Sequence, residues 1–290
     1  MDALRTPAAR NARLLRPRLN RTTSVACRTT PRSPNDMKRP PYLSRLRVVT
    51  ERLPSESSFP FSLPFVGQLD LTFTAPVTFF VGENGSGKST LLEAIAALNR
   101  LPVSGGARSD LGARHGPDTD SALSFALRPA FTRRAPDGYF LRSEFHAHFA
   151  SLLDQRSDDP WFRMTGDPYE HYGGGSLHRR SHGEAFLSVV LNRFQRGIFL
   201  LDEPESALSP QRQLSLLLQM RTLARAGTAQ FVIATHSPIL LTYPGAQIVS
   251  FDQPSLPTVS LHETSHYQLT RQVLQDPEGF WRHLLVGGIQ

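Results

Sequence analysis

Residues 82–89 of this 290-residue chain read Gly82-Glu83-Asn84-Gly85-Ser86-Gly87-Lys88-Ser89, the composition of an anion cradle. Three glycines let successive backbone N–H groups turn inward around phosphate oxygens without a Cβ in the way. Lys88 supplies a charge for the β- and γ-phosphates, and the Ser89 hydroxyl is a ligand for Mg²⁺. Thr90 follows in the same ligand-binding stretch. The spacing is diagnostic only between a buried strand and a helix, and both flanks fit. Residues 77–81 (VTFFV) form a short, continuously apolar run, and residues 89–98 (STLLEAIAAL) carry helical spacing. The positive end of that helix adds to the attraction for phosphate. With glycine near 7% of residues, chance produces the four constrained positions in roughly one chain in a hundred of this length. The expected ligand is a nucleoside triphosphate.

A second position is Asp202-Glu203, which follows the apolar run Phe199-Leu200-Leu201. Ligands of open α/β sheets bind at the C-terminal ends of strands. There Asp202 is expected to hold the Mg²⁺ shell, through water, and Glu203 to polarise an attacking water as base or orienter. An acid pair after an apolar run also suits a helix N-terminus, so its weight comes from the phosphate loop. His236, in Ala234-Thr235-His236-Ser237-Pro238, follows another apolar run. A lone histidine is usually structural, but at this sheet edge an imidazole reaches a γ-phosphate and its water. Lys88, Glu203 and His236 are the expected catalytic residues.

Strands alternating with helices must position these groups. Residues 42–50 and 69–73 read as strands joined by the Pro- and Ser-rich segment 54–64, and residues 138–141, 198–201 and 231–234 as further strands. Helical spacing is expected near 121–127 and over 144–153, 184–194 and 211–224, the last ended by Gly227. Strand candidates at 247–251 and 258–261 precede helices near 267–275 and 278–285. The alternation implies a mostly parallel, covered sheet. Neither solenoid repeats nor sustained heptads occur.

The formal charge of +7 is unevenly spread. Residues 1–47 hold twelve Lys/Arg and two Asp/Glu, leaving 20 basic and 23 acidic residues in the rest, a net of −3. The body therefore offers no electrostatic case for nucleic acid. The tail, 1–40, is expected to be disordered. It lacks the apolar stretch of a secretory signal, and although Arg-rich like a transit peptide it shows no amphipathic helix. Met37 opens MKRPPYLSRL just before the first strand and is an alternative start, so residues 1–36 are expected to be dispensable. One cysteine, Cys27, excludes an intrachain disulfide and fits a reducing cytoplasm. The sequence has no run of 18 apolar residues and so no expected membrane-spanning helix.

Five ordered segments, VGENGSGKSTLLEAIA, SHGEAFL, LLDEPESALSPQRQ, ATHSPILL and ETSHYQLTR, resemble the ABC-type ATPase superfamily over roughly residues 41–285. Specifically, they resemble its small, soluble, single-chain bacterial members often labelled AAA family ATPases. The resemblance implies an α/β P-loop NTPase fold with a mostly parallel central sheet, an antiparallel β portion near the N-terminus and a helical, variable subdomain at 99–183. The ATPase domain would run over 41–290. It also implies that Ser181 and Gly183, in Ser181-His182-Gly183-Glu184, form the signature motif that completes the ATP site of a second protomer. The same four residues fit an ordinary capping box, and both roles can coexist. Ser206-Ala207-Leu208 resembles the turn that meets its counterpart across such a dimer. The sequence departs from the family where His182 and Glu184 stand in the signature, and no glutamine occupies the Q-loop position, for which Glu144 is the candidate. The implied protein is a cytoplasmic, Mg²⁺-dependent ATPase, an ATP-dependent homodimer acting on an unidentified protein or nucleic acid. The alternatives are a transporter's ATPase subunit, a DNA-repair or phage-defence component, and a small-molecule phosphotransferase.

Overall fold

Residues 41–55, 58–111, 121–143 and 146–287 are described by the computed structural model. The expected tail at 1–40, with Cys27, and the Q-loop candidate Glu144 lie outside these residues.

Among the described residues the strands form two sheets. The small one is antiparallel, with β1 (Leu43–Val48) between β2 (Asp70–Thr72) and β5 (Leu127–Phe131). The large one has seven strands. Its centre is a parallel block of β9 (Gln247–Ser250), β3 (Val77–Val81), β8 (Ala229–Ala234), β7 (Gly197–Asp202) and β6 (Gly138–Arg142), in that order. Two-residue antiparallel strands, β10 (Thr258–Val259) and β4 (Gly106–Ala107), close the two edges.

β3, β7 and β8 are buried along their whole length. Alternating side chains divide between the two faces of the sheet. Phe79, Phe199, Phe231 and Ile233 face one core, shared with α5 (His182–Arg193), α6 (Pro210–Arg225) and α3 (His146–Asp158). Phe80, Ile198, Leu200 and Val232 face the other, shared with α1 (Lys88–Leu98) and the small sheet. Burial on both faces explains why these strands read as continuous apolar runs.

Two buried glutamines join the sheets. Gln230 of β8 accepts from the Leu43 N–H at 2.9 Å and donates to the Leu43 carbonyl at 3.0 Å. Gln247 of β9 donates to the Thr72 carbonyl at 2.9 Å and accepts from the Thr74 N–H at 3.0 Å. Each amide satisfies backbone groups at or just beyond the end of a strand of the small sheet.

The mostly parallel sheet and the antiparallel portion near the N-terminus are both present. The segment 99–183 mixes helices with strands among its described residues. It supplies three strands (β4, β5, β6), with its longer helices confined to α3 and α4 (Pro160–Thr165). β5 went unread because Pro129 interrupts it, and the small sheet tolerates that proline because β5 is an edge strand. Residues 260–261, expected in a strand, instead enter a 3₁₀ turn, Leu261–Glu263, capped by Ser260 and Glu263. The last two helices are α7 (Ser265–Gln275) and α8 (Pro277–Gly287).

Candidate functional site

Three loops leave the C-terminal ends of the adjacent strands β3, β8 and β7 at one level. The register shows why, since Phe80 and Asp202 are both paired with Ala234. The phosphate loop, the Asp202-Glu203 pair and Thr235-His236 thus emerge side by side at the sheet edge where α/β ligands bind.

The loop enters α1 through Gly87, whose φ of 93° is left-handed. A Cβ there would come within 2.7 Å of the Phe65 ring and 2.9 Å of Leu63. Gly82 is similarly confined, because its Cβ would meet that of Phe251 at 2.9 Å. The loop is therefore pressed onto the core by apolar side chains that only glycine admits. Glu83, Asn84 and Gly85 are exposed at its tip, whereas Ser86, Ser89 and Thr90 are half-buried.

Lys88 is buried, and its ammonium donates to the carbonyls of Gly82 at 2.7 Å and Glu83 at 2.8 Å. Burial lowers its pKa, an effect opposed by Glu203 and Asp202. The Ser89 hydroxyl donates to Asp202 Oδ1 at 2.9 Å, which brings the two expected Mg²⁺ ligands into contact. Both are hard oxygen donors, the chemistry Mg²⁺ prefers.

Asp202 is buried, and burial pushes its carboxyl up to about 6 against the opposing influence of Arg142 and the Ser89 hydroxyl. Arg142, at the end of β6, is buried beside it. Its guanidinium lies 3.6 Å from Asp202 and 2.7 Å from Glu93 of α1. The sequence reading had no role for Arg142; the available signal was a charge ending the apolar strand Gly138–Arg142.

Glu203 has a left-handed backbone, φ 48° and ψ 54°, unusual for a residue with a Cβ. Its N–H donates to the Ala234 carbonyl at 3.0 Å, and its own carbonyl accepts from the hydroxyls of Ser143 at 2.9 Å and Ser206 at 2.8 Å. Held this way, the half-exposed side chain turns toward His236, with Oε1 3.8 Å from Nε2. That distance exceeds a hydrogen bond.

His236 is anchored from behind by Glu205. The Glu205 carboxylate accepts from the His236 N–H at 2.5 Å and from the Thr235 hydroxyl at 2.7 Å. Burial raises the pKa of Glu205, which these donors oppose. Burial, then Lys88 and His266, hold His236 below the ordinary histidine range. Its Nε2 is buried without a hydrogen-bond partner among the described residues. A buried donor or acceptor in that condition is the mark of a site shaped for a ligand or water. Glu205 was also missed, because its role depends on a fold-back between two loops.

Ser181 and Gly183 are not brought into this cluster. They sit at the N-terminus of α5, where the Ser181 N–H donates to Glu184 at 3.0 Å in the anticipated capping box. Arg212 of α6 donates to Ser181 Oγ at 3.3 Å and to Glu184 at 3.1 Å. A Cβ on Gly183 would lie 2.7 Å from the Ala207 carbonyl, so this glycine lets α5 pack against the 206–208 turn. The two segments form one surface unit.

Comparison with known proteins adds the following. A family model described as "AAA domain" matches residues 60–98, and one described as "AAA domain, putative AbiEii toxin, Type IV TA system" matches residues 176–242. Among curated proteins, the chain is 30% identical over 189 residues to the hemin import ATP-binding protein HmuV of Rhodopseudomonas palustris, covering 60% of this chain and 69% of that one. It is 28% identical over 183 residues to a "Putative ATP-binding protein" of Brucella abortus, covering 60% of this chain and 50% of the other. The chain thus spans about half the length of the Brucella relatives it matches. Among solved structures, cbiO1 of Clostridium perfringens, part of the ABC transporter complex cbiONQ, is similar with a TM-score of 0.41 at 16% identity, covering 84% of this chain and 95% of that one.

Proposed function

As this chain belongs to the ABC-type P-loop ATPases, we propose that it binds ATP with Mg²⁺ and hydrolyses it at a site completed by a second copy of itself. The observation that carries the reading is the convergence of Lys88, Ser89, Asp202, Glu203 and His236 at three adjacent strand ends, with His236 Nε2 lacking a hydrogen-bond partner among the described residues. The loop N–H groups and the N-terminus of α1 hold the phosphates. Lys88 exchanges its two carbonyl contacts for β- and γ-phosphate oxygens. Ser89 and Asp202 would hold Mg²⁺, which when bound neutralises phosphate charge. Glu203 orients the attacking water and takes up its proton, while His236 Nε2 hydrogen-bonds to the γ-phosphate or that water.

Ser181 and Gly183 serve the partner's nucleotide. Their packing with the 206–208 turn, which resembles the segment that meets its counterpart across such a dimer, supports contribution in trans. ATP that touches both half-sites ties assembly to nucleotide state. The proposed workplace is the cytoplasm, and no helix among the described residues is long and apolar enough to cross a membrane. The process driven is open to two readings. Relatives named for import suggest a membrane partner, and the second family model's description suggests a defence system.

Glu203→Gln tests the proposal. Its phosphate release should fall by about 10²-fold or more while ATP binding persists, and ATP should convert the protein to a dimer by light scattering. Unchanged turnover would remove Glu203 from the mechanism, and a monomer with ATP bound would remove the composite site. Co-purification of this variant from native lysate with ATP separates a permease, a nucleic acid and a protein partner.

A further inference from the structure

His236 is in contact with a second histidine. Its Nδ1 lies 2.7 Å from Nε2 of His266, at the start of α7, with ring centroids 4.8 Å apart and planes inclined by 63°. The half-buried His266 comes from the ETSHYQLTR segment, for which the sequence reading gave no role. A separation of 2.7 Å is a hydrogen bond, so one of the two nitrogens donates.

The surroundings decide which. If His236 Nδ1 were the donor, a neutral His236 would turn a bare Nε2 lone pair toward the Glu203 carboxylate, 3.8 Å away. If His266 donates, His236 carries its proton on Nε2 and faces that carboxylate with an N–H. The charged groups around His236 are Lys88, Glu203, Glu83 and His266, and the Glu205 carboxylate takes only its backbone N–H. Lys88 disfavours a second proton on the ring, as does burial. On the far side of His266, Ser265 Oγ lies 3.5 Å from Nδ1 and, as a hydroxyl that can donate or accept, is compatible with His266 donating through Nε2.

We infer that His266 is a positioning residue, donating Nε2–H to His236 Nδ1 and thereby holding His236 in the Nε2–H tautomer aimed into the space beside Glu203. Fixing an imidazole's reactive nitrogen through a bond to the other is the general way such rings are oriented. The contact also makes α7 part of the site. An open cleft of about 360 Å³ beside it is lined by Glu83 of the phosphate loop together with Ser265, His266, Gln268, Leu269 and Gln272. The tautomer is independent of the ATPase reading above, and its effect on turnover rests on that reading.

Long-range ¹⁵N–¹H spectra of histidine-labelled, nucleotide-free protein read the tautomer directly, with the His236 signals assigned by their loss in His236→Asn. The wild type should show His236 protonated at Nε2. His266→Ala should move it toward a mixture with the Nδ1–H form, and His266→Gln, whose amide N–H reaches a similar point, should preserve Nε2–H. In ATP turnover, His266→Ala should lower kcat by about tenfold with KM within roughly twofold, and His266→Gln should recover most of the loss. An Nδ1–H tautomer in the wild type, or a His236 tautomer unchanged by His266→Ala, overturns the inference. A wild type that does not hydrolyse ATP overturns the function instead and leaves the spectra to judge the tautomer.

Discussion

Replacing Asp202 by Asn should stabilise the nucleotide-free protein at neutral and alkaline pH while removing its response to Mg-ATP. The Asp202 side chain is 8% exposed. Burial, the largest influence, and the neighbouring Glu203 and Glu93 raise its pKa from 3.8 to about 6, although Arg142 and the Ser89 hydroxyl oppose them. A rise of about two pH units corresponds to ~3 kcal/mol. Because the folded-state value is raised, the folded form binds the proton more tightly than the unfolded chain. The stabilisation from that proton is complete below pH 3.8 and is lost as pH rises through about 6. Above pH 7 the wild type carries the whole cost of a buried carboxylate, and Asn does not. The Asn carbonyl still accepts from Ser89. Urea unfolding with EDTA and no nucleotide should therefore favour Asp202→Asn by roughly 2 to 3 kcal/mol at pH 8, the difference vanishing near pH 4. With Mg-ATP the order should invert, because only the wild type gains binding free energy. A variant less stable than wild type at pH 8 without nucleotide would refute the reasoning: the Arg142 ion pair would then outweigh desolvation.

Glu205→Ala should cost about 1 to 3 kcal/mol in urea unfolding, since Thr235 and the His236 N–H lose their acceptor. It should also lower kcat without weakening ATP binding, read by turnover and by equilibrium titration with a fluorescent nucleotide. Gln230→Leu should destabilise the chain by roughly 2 kcal/mol or more, because the Leu43 N–H and carbonyl lose their partners in a buried junction. Amide hydrogen exchange in β1 should rise with it.

The central strands were legible because burial on both faces writes itself into short, largely apolar runs, as in VTFFV and GIFLLD. α6 was legible through its helical spacing and the glycine after it. β5 was not, because Pro129 argues against a strand until its neighbour is known, and a two-residue strand such as β4 carries no period at all. The junction of the two sheets was illegible for a different reason. Gln230 and Gln247 look like polar interruptions in strands, and only the meeting of segments about 187 and 175 residues apart gives their amides backbone groups to bind.

The site divides along the same line. Residues proposed to touch the nucleotide were readable because phosphate and Mg²⁺ demand particular atoms at fixed local spacing, as in residues 82–89, or at the end of one strand, as in Asp202-Glu203. Residues that hold these in place have no such demand to meet. Arg142, Glu205 and His266 lie on three different elements and make their contacts across the fold: Arg142 to Asp202 and Glu93, Glu205 to Thr235 and His236, His266 to His236. Any of several residue types meets such a need in one dimension, so sequence spacing cannot single them out. Glu203 joins the two classes. Its identity follows from the acid pair, but its working direction comes from a left-handed backbone held by Ser143, Ser206 and the Ala234 carbonyl. That conformation costs about 1 to 3 kcal/mol for a residue with a Cβ, and hydrogen bonds from Ser143 and Ser206 and to Ala234 converge on it. The carboxylate is therefore turned toward His236 before any ligand arrives, which is the preorganisation its proposed water-orienting role would require.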